Sequence, residues 1–195
     1  MKATPSANKL ILTGLLTRLF LDTGVQVFFP FLRTIAAGIG ISTVELGRLV
    51  SAKSLTGLLA PLFGVLADAR GNRHVMRLAL FLSALGYYCI AISTDLFLLT
   101  VGMLLTGVGG FAYLPTLQSY LSAYLPYGKR AWGLGIVEYA WALSGIFGLF
   151  LVGLLIEATS WRVPFFIFAG GFLVAFFAYQ ALPSARGEAQ RPYAR

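Results

Sequence analysis

Arg18, Asp22 and Gln26 recur every four residues within an otherwise apolar stretch. On a helix that spacing turns each side chain about 40° from the one before, so the three form one polar stripe. Lys53 and Glu138 sit inside two further apolar stretches. Facing hydrocarbon, Arg18, Asp22, Lys53 and Glu138 would each cost about 2.5–3.5 kcal/mol, on the order of 10 kcal/mol together. Two bases and two acids can neutralise one another, and depth along the helices predicts the pairs Asp22 with Lys53 and Arg18 with Glu138. An acid held by a base in apolar surroundings can take up a proton and release its partner, which suits coupling of proton movement to a change of shape.

A softer polar stripe runs through Thr106, Gly109, Tyr113, Thr116 and Tyr120, with Pro115 available to bend the helix, and another through Glu138, Trp141, Ala142 and Gly145. Small residues, threonine and aromatics are common at contacts between membrane helices. Tyr113 and Trp141 therefore have two open roles, lining a polar path or packing.

The elements that position these residues follow from composition. Hydrophobic residues make up 58% of the chain, charged residues 11%, and the mean hydropathy is +0.81. Soluble domains carry about 25% charge. Six apolar runs are long enough to be helical spans: Leu10–Leu32, Leu46–Leu66, Val75–Ile92, Leu96–Tyr120, Leu134–Ile156 and Val163–Leu182. Backbone groups in hydrocarbon must be satisfied within their own segment, so an all-α bundle is expected over residues 1–182, with a polar cytoplasmic tail or linker at 183–195. The first run holds Arg18 and Asp22 and lacks a small-residue cleavage site, so it reads as a retained span rather than a secretory leader.

Lys2, Lys9, Arg70, Arg73, Arg77, Lys129, Arg130, Arg186, Arg191 and Arg195 fall on one side of such a bundle, against Arg33, Arg48 and Arg162 on the other. That bias places both termini in the cytoplasm and accounts for the net charge of +8 without a nucleic-acid partner. The expected location is the plasma (inner) membrane. Cys89 and His74 are the only cysteine and histidine, so neither a disulfide framework nor a metal cluster is expected, and no cofactor is called for. A nucleotide-binding Gly-rich loop ending in Lys is absent, which argues against ATP-driven transport, and no nucleophile–base set suggests an enzyme.

The ends of the second and fifth runs resemble each other. Phe63-Gly64-Val65-Leu66-Ala67-Asp68 is followed by Arg70, and Val152-Gly153-Leu154-Leu155-Ile156-Glu157 by Arg162. With the topology above the copies end on opposite sides, the pattern of three helices duplicated with inverted topology.

The connection between the second and third runs is the most specific motif. It reads Gly64-Val65-Leu66-Ala67-Asp68-Ala69-Arg70-Gly71-Asn72-Arg73-His74. Gly64 suits close helix approach, Gly71 a tight turn, and Asp68 at a helix end can hold a nearby arginine. The segment resembles the signature loop of the major facilitator superfamily, matching at Gly64, Leu66, Ala67, Asp68, Gly71 and Arg73 and departing at Ala69 and Asn72. Lys129-Arg130-Ala131-Trp132-Gly133 and Trp161-Arg162 with Phe165 also look like family segments, whereas Met103 and Gly148-Leu149 depart from its fourth- and fifth-span motifs. The resemblance implies one six-helix bundle of a two-bundle fold built as a 3+3 inverted repeat, with Gly64, Asp68, Arg70, Gly71 and Arg73 in a cytoplasmic gating loop.

The expectation for function is secondary active transport of a small solute by alternating access, with Arg18, Asp22, Gln26, Lys53, Tyr113, Glu138 and Trp141 as substrate or proton-coupling candidates. The partners expected are the lipid bilayer, a small solute and a second six-helix bundle, from a homodimer or a separate half. The alternative is a non-transporting half-bundle with a structural or interaction role.

Overall fold

The computed structural model describes residues 7–182, so the basic tail expected at 183–195 lies outside the described residues. The described residues form nine α-helices and no strand. They are α1 (Ala7–Gln26), α2 (Leu32–Ile39), α3 (Thr43–Leu55), α4 (Ala60–Arg70), α5 (Asn72–Ile92), α6 (Leu96–Tyr124), α7 (Tyr127–Leu143), α8 (Leu149–Ala158) and α9 (Val163–Ala178).

Several of these join end to end. A 3-10 turn at Thr56–Leu59 links α3 to α4 into one segment, Thr43–Arg70, and a π-helical turn at Ser144–Gly148 links α7 to α8 into Tyr127–Ala158. With Asn72–Ile92, Leu96–Tyr124 and Val163–Ala181 these make five segments long and apolar enough to cross a membrane. The expected six therefore become five on length and apolarity. The first segment is the exception because every stretch of α1 long enough to span carries Lys9, Arg18 and Asp22.

Proline explains where the first run breaks. A single helix is expected over Leu10–Leu32, but α1 stops at Gln26 and α2 starts at Leu32. Pro30 has no N–H to return to Gln26, so Phe29 N donates to that carbonyl instead at 3.0 Å, and Phe31 N reaches Val27 O at 3.3 Å. Pro61 acts similarly at the first turn of α4, where the preceding turn tightens to 3-10 geometry and Ala60 N donates to Gly57 O. α3 begins with a reciprocal cap in which Ser42 Oγ accepts from Glu45 N at 3.1 Å and Ser42 N donates to the Glu45 carboxylate at 2.8 Å.

α5 sits at the middle of the packing, against α6 on one side and α9 on the other. The α5–α6 contact is close because glycines face each other: a Cβ on Gly86 would lie 2.7 Å from Gly102 O, and one on Gly102 would lie 2.8 Å from Gly86 O. On the other side an aromatic cluster joins three helices. Phe20 of α1 meets Phe168 edge-on at 5.2 Å, and Tyr87 of α5 stacks on Phe172 at 5.4 Å. Arg162 fastens the far end of α5, donating from Nη1 to Ala91 O and Ser93 O at 3.1 and 2.8 Å.

Candidate functional site

α1 and α7 bring three charges together. Arg18 Nε donates to Asp22 Oδ2 at 2.8 Å on the same helix, while Nη1 and Nη2 donate to the two oxygens of Glu138 at 3.2 and 3.3 Å. Gln118 of α6 adds a donor to Glu138 Oε1 at 2.9 Å. Arg18 and Asp22 are buried, whereas the Glu138 side chain is half exposed. A fork-shaped guanidinium with donors at both ends can hold two carboxylates at once, which an ammonium cannot do with fixed geometry.

The pair expected between Asp22 and Lys53 does not form. Asp22 goes to Arg18, four residues earlier on its own helix, because that partner is already held in reach by the helical turn. Lys53 is buried, has no carboxylate within 4 Å among the described residues, and rests its Nζ 5.3 Å from the centroid of the Phe28 ring. Facing an aromatic ring stabilises an ammonium partly desolvated in this way.

Both charged groups open on one cavity of about 340 Å³, bounded by α1, α3, α6 and α7. Arg18 and Asp22 stand at one part of its wall and Lys53 at another, with Thr106, Phe111 and Trp141 among the other lining residues. Pro115 also lines it, and by removing one intrahelical donor it leaves the carbonyl of Phe111 without its usual partner.

Gln26, third of the stripe, reaches a neighbouring helix instead. Its Nε2 donates to Ser144 Oγ at 2.6 Å and to Trp141 O at 3.1 Å, and Ser144 Oγ in turn donates to Trp141 O at 2.8 Å. The π turn displaces backbone donors from their normal acceptors, and these side chains add to the Ser144 N–H at the Trp141 carbonyl.

Tyr113 does not line the cavity. It is fully buried, its hydroxyl 2.5 Å from that of Tyr179, which donates onward to Thr17 Oγ1 at 3.2 Å. Of its stripe only Thr106 reaches the cavity, while Gly109 packs on Ser83 of α5. Tyr113 is therefore placed among the packed helices, away from the cavity wall.

The loop between α4 and α5 turns at Gly71, whose φ of +89° and ψ of 143° belong to a region only glycine occupies readily, and Gly71 N donates to Ala67 O at 2.8 Å. Arg73 Nη1 donates to Leu182 O at 2.7 Å and Asn72 Nδ2 to Ser119 Oγ at 3.1 Å, tying the loop to the end of α9 and to α6. Asp68 and Arg70 are exposed and form no ion pair among the described residues, contrary to the holding role expected of Asp68. Gly64 is also not used for close approach within this chain: a Cβ there would meet nothing within 4 Å.

Sequence spacing missed three contributors. Gln118 supports Glu138, Phe28 faces Lys53, and Gly107 gives the Lys53 stem room, since a Cβ there would lie 2.9 Å from Lys53 Cγ and 3.0 Å from its carbonyl. Gln118 was the most accessible, being a polar residue in an apolar helix.

The model of the Major Facilitator Superfamily matches residues 14–195. The chain belongs to that superfamily. Among curated relatives of this superfamily chain, an uncharacterized MFS-type transporter, YhcA, of Bacillus subtilis is 28% identical over 175 residues, covering 87% of the chain and 32% of the relative. A multi-drug resistance efflux pump PmrA homolog of Lactococcus lactis is 29% identical over 180 residues, covering 87% and 44%. Among solved structures, the human organic anion transporter MFSD10 superposes with a TM-score of 0.74 at 23% identity over 90% of this chain and 42% of that one. A peptide transporter, POT, gives 0.68 at 18% identity, covering 92% and 42%. The major facilitator chain thus spans under half the length of these relatives, and its apolar helices make it an integral membrane protein.

Proposed function

We propose that the chain takes part in secondary active transport, moving a small solute across the membrane by alternating access as one six-helix bundle of a two-bundle transporter. The observation that carries this is the cavity of about 340 Å³ with Arg18, Asp22, Lys53 and Trp141 in its wall, in a chain of a superfamily whose relatives are named as transporters. Charged groups deep among apolar helices are expensive and are retained for solute or proton traffic.

In this reading α1 is the sixth span, its charges offset by Glu138 of α7. A 3+3 inverted repeat is supported by the segments Thr43–Arg70 and Tyr127–Ala158, each of which is interrupted part-way along by a non-α turn. Both termini face the cytoplasm, with the Gly71 loop and its arginines on that side. Proton coupling runs through the shared guanidinium: Asp22 and Glu138 both hold Arg18, so a proton on either carboxyl leaves Arg18 to the other and loosens α1 from α7 or Arg18 from its own helix. The second bundle, a second copy or a separate half, covers the faces that this chain leaves open.

The test is solute-dependent proton movement in liposomes that hold the purified chain and an internal pH dye. Externally added solutes should shift the luminal pH through the wild-type chain, downward for symport and upward for antiport, and fail to do so through Asp22→Asn. Correctly folded protein with no solute-dependent flux would instead support a structural or interaction role for the half-bundle.

A further inference from the structure

We propose that the cavity takes an amphipathic organic anion, a carboxylate or its equivalent on an aromatic body, with the anionic group held by Lys53. This rests on the transport reading above, and it names the class of solute.

The charges around the cavity are unequally committed. Arg18 is shared by two carboxylates, and each of those has a donor within 3.3 Å. Asp22 is closed off by the 2.8 Å contact from Arg18, so a cationic solute would find its natural counter-charge engaged and Lys53 in the same wall repelling it. Lys53 is the opposite case. Only 7% of it is exposed, it lines the cavity, and among the described residues it has neither a carboxylate within 4 Å nor a hydrogen-bond acceptor for its ammonium. A buried charge without a partner is strongly disfavoured, and an anion arriving in the cavity supplies the missing one.

The position is built rather than incidental. Gly107 on α6 leaves the space in which the lysine stem lies, and Thr56 Oγ1 donates to the Lys53 carbonyl at 2.6 Å where α3 gives way to the 3-10 turn. Apart from Arg18, Asp22, Ser54 and Thr106 the wall is apolar and aromatic: Phe28 beneath the ammonium, with Phe29, Phe111 and Leu114 nearby. A volume of about 340 Å³ accommodates a bicyclic ring bearing one carboxylate.

The experiment is equilibrium binding to the full chain in nanodiscs of neutral phosphatidylcholine, corrected for empty discs, with three probes of matched shape. These are 2-naphthoate, 2-naphthylmethylammonium and neutral 2-methylnaphthalene. The wild type should bind naphthoate at least about tenfold more tightly than either of the others, and Lys53→Met should remove about tenfold or more of that affinity while Lys53→Arg keeps most of it. Naphthoate binding no stronger than that of the ammonium or neutral probe overturns the proposal, as does unchanged affinity in folded Lys53→Met. The probe ranking needs only wild-type protein, so it decides the matter even where Lys53→Met fails to fold. Naphthoate binding without flux would sink the transport reading and leave the anion site standing, and flux without anion preference would do the reverse.

Discussion

Arg18 of α1 grips Glu138 of α7 through both terminal guanidinium nitrogens, at 3.2 and 3.3 Å, while its Nε holds Asp22 at 2.8 Å. One base thus serves two acids, one buried and one half exposed. Their dependence on it differs accordingly.

Replacing Arg18 by Met strands Asp22 as a buried charge, which costs about 3–5 kcal/mol. Glu138 is half exposed and keeps its contact from Gln118, so the larger share of the loss falls on Asp22. Arg18→Met is expected to lower the thermal midpoint in detergent markedly, and the double variant Arg18→Met with Asp22→Asn to recover most of it. Equal midpoints for single and double variants would show that Asp22 does not depend on Arg18.

Gln26→Leu removes the donor from α1 to the π turn, leaving Ser144 Oγ as the remaining side-chain donor to Trp141 O. The loss should be about 1 kcal/mol. Hydrogen exchange should quicken at residues 144–148 before it does elsewhere in α7 or α8. Uniform exchange along that segment would mean that Gln26 does not stabilise the turn.

Two glycines should respond oppositely to leucine. Gly86→Leu drives a side chain into the Gly102 carbonyl and the Thr106 amide, backbone that cannot step aside, and should cost about 3 kcal/mol or more. Gly64→Leu meets nothing within 4 Å and removes a poor helix former from the interior of α4, so it should raise the chain's own stability by up to about 1 kcal/mol. If a second bundle docks on the α4 face, Gly64→Leu should nonetheless weaken association, read as a shift toward monomer by native mass spectrometry. Unaltered association would place the docking face elsewhere.

The class of protein and the residues of the polar cluster were legible because charge inside an apolar run has few permitted surroundings. Their partnering was only half legible. Depth along two helices suggested Asp22 with Lys53, but the Arg18–Asp22 spacing of four already contained the local pair, and a contact preset by a helical turn needs no ordering of a second helix. Tyr113 shows a different limit. Periodicity identifies a face of α6, but whether α5, Tyr179 just beyond α9 or the cavity meets that face depends on where neighbouring helices lie. The Gly71 turn could be read directly, since glycine beside a charged helix end has a local cause. The breaks at Pro30 and Pro61 fall inside runs expected as single helices, because apolar length alone carried the spans through both prolines, whereas no residue type marks the π turn.

The π turn at Ser144–Gly148 also shifts the phase of everything that follows it. It winds wider than an α-turn, so it absorbs roughly one extra residue without adding a full step of advance. Positions in α8 are consequently out of phase with α7 by about one residue when counted at fixed spacing. A stripe traced from Glu138 across residue 148 drifts onto a neighbouring face, so the sides that Val152–Glu157 present are counted from residue 149 onward and not from Glu138.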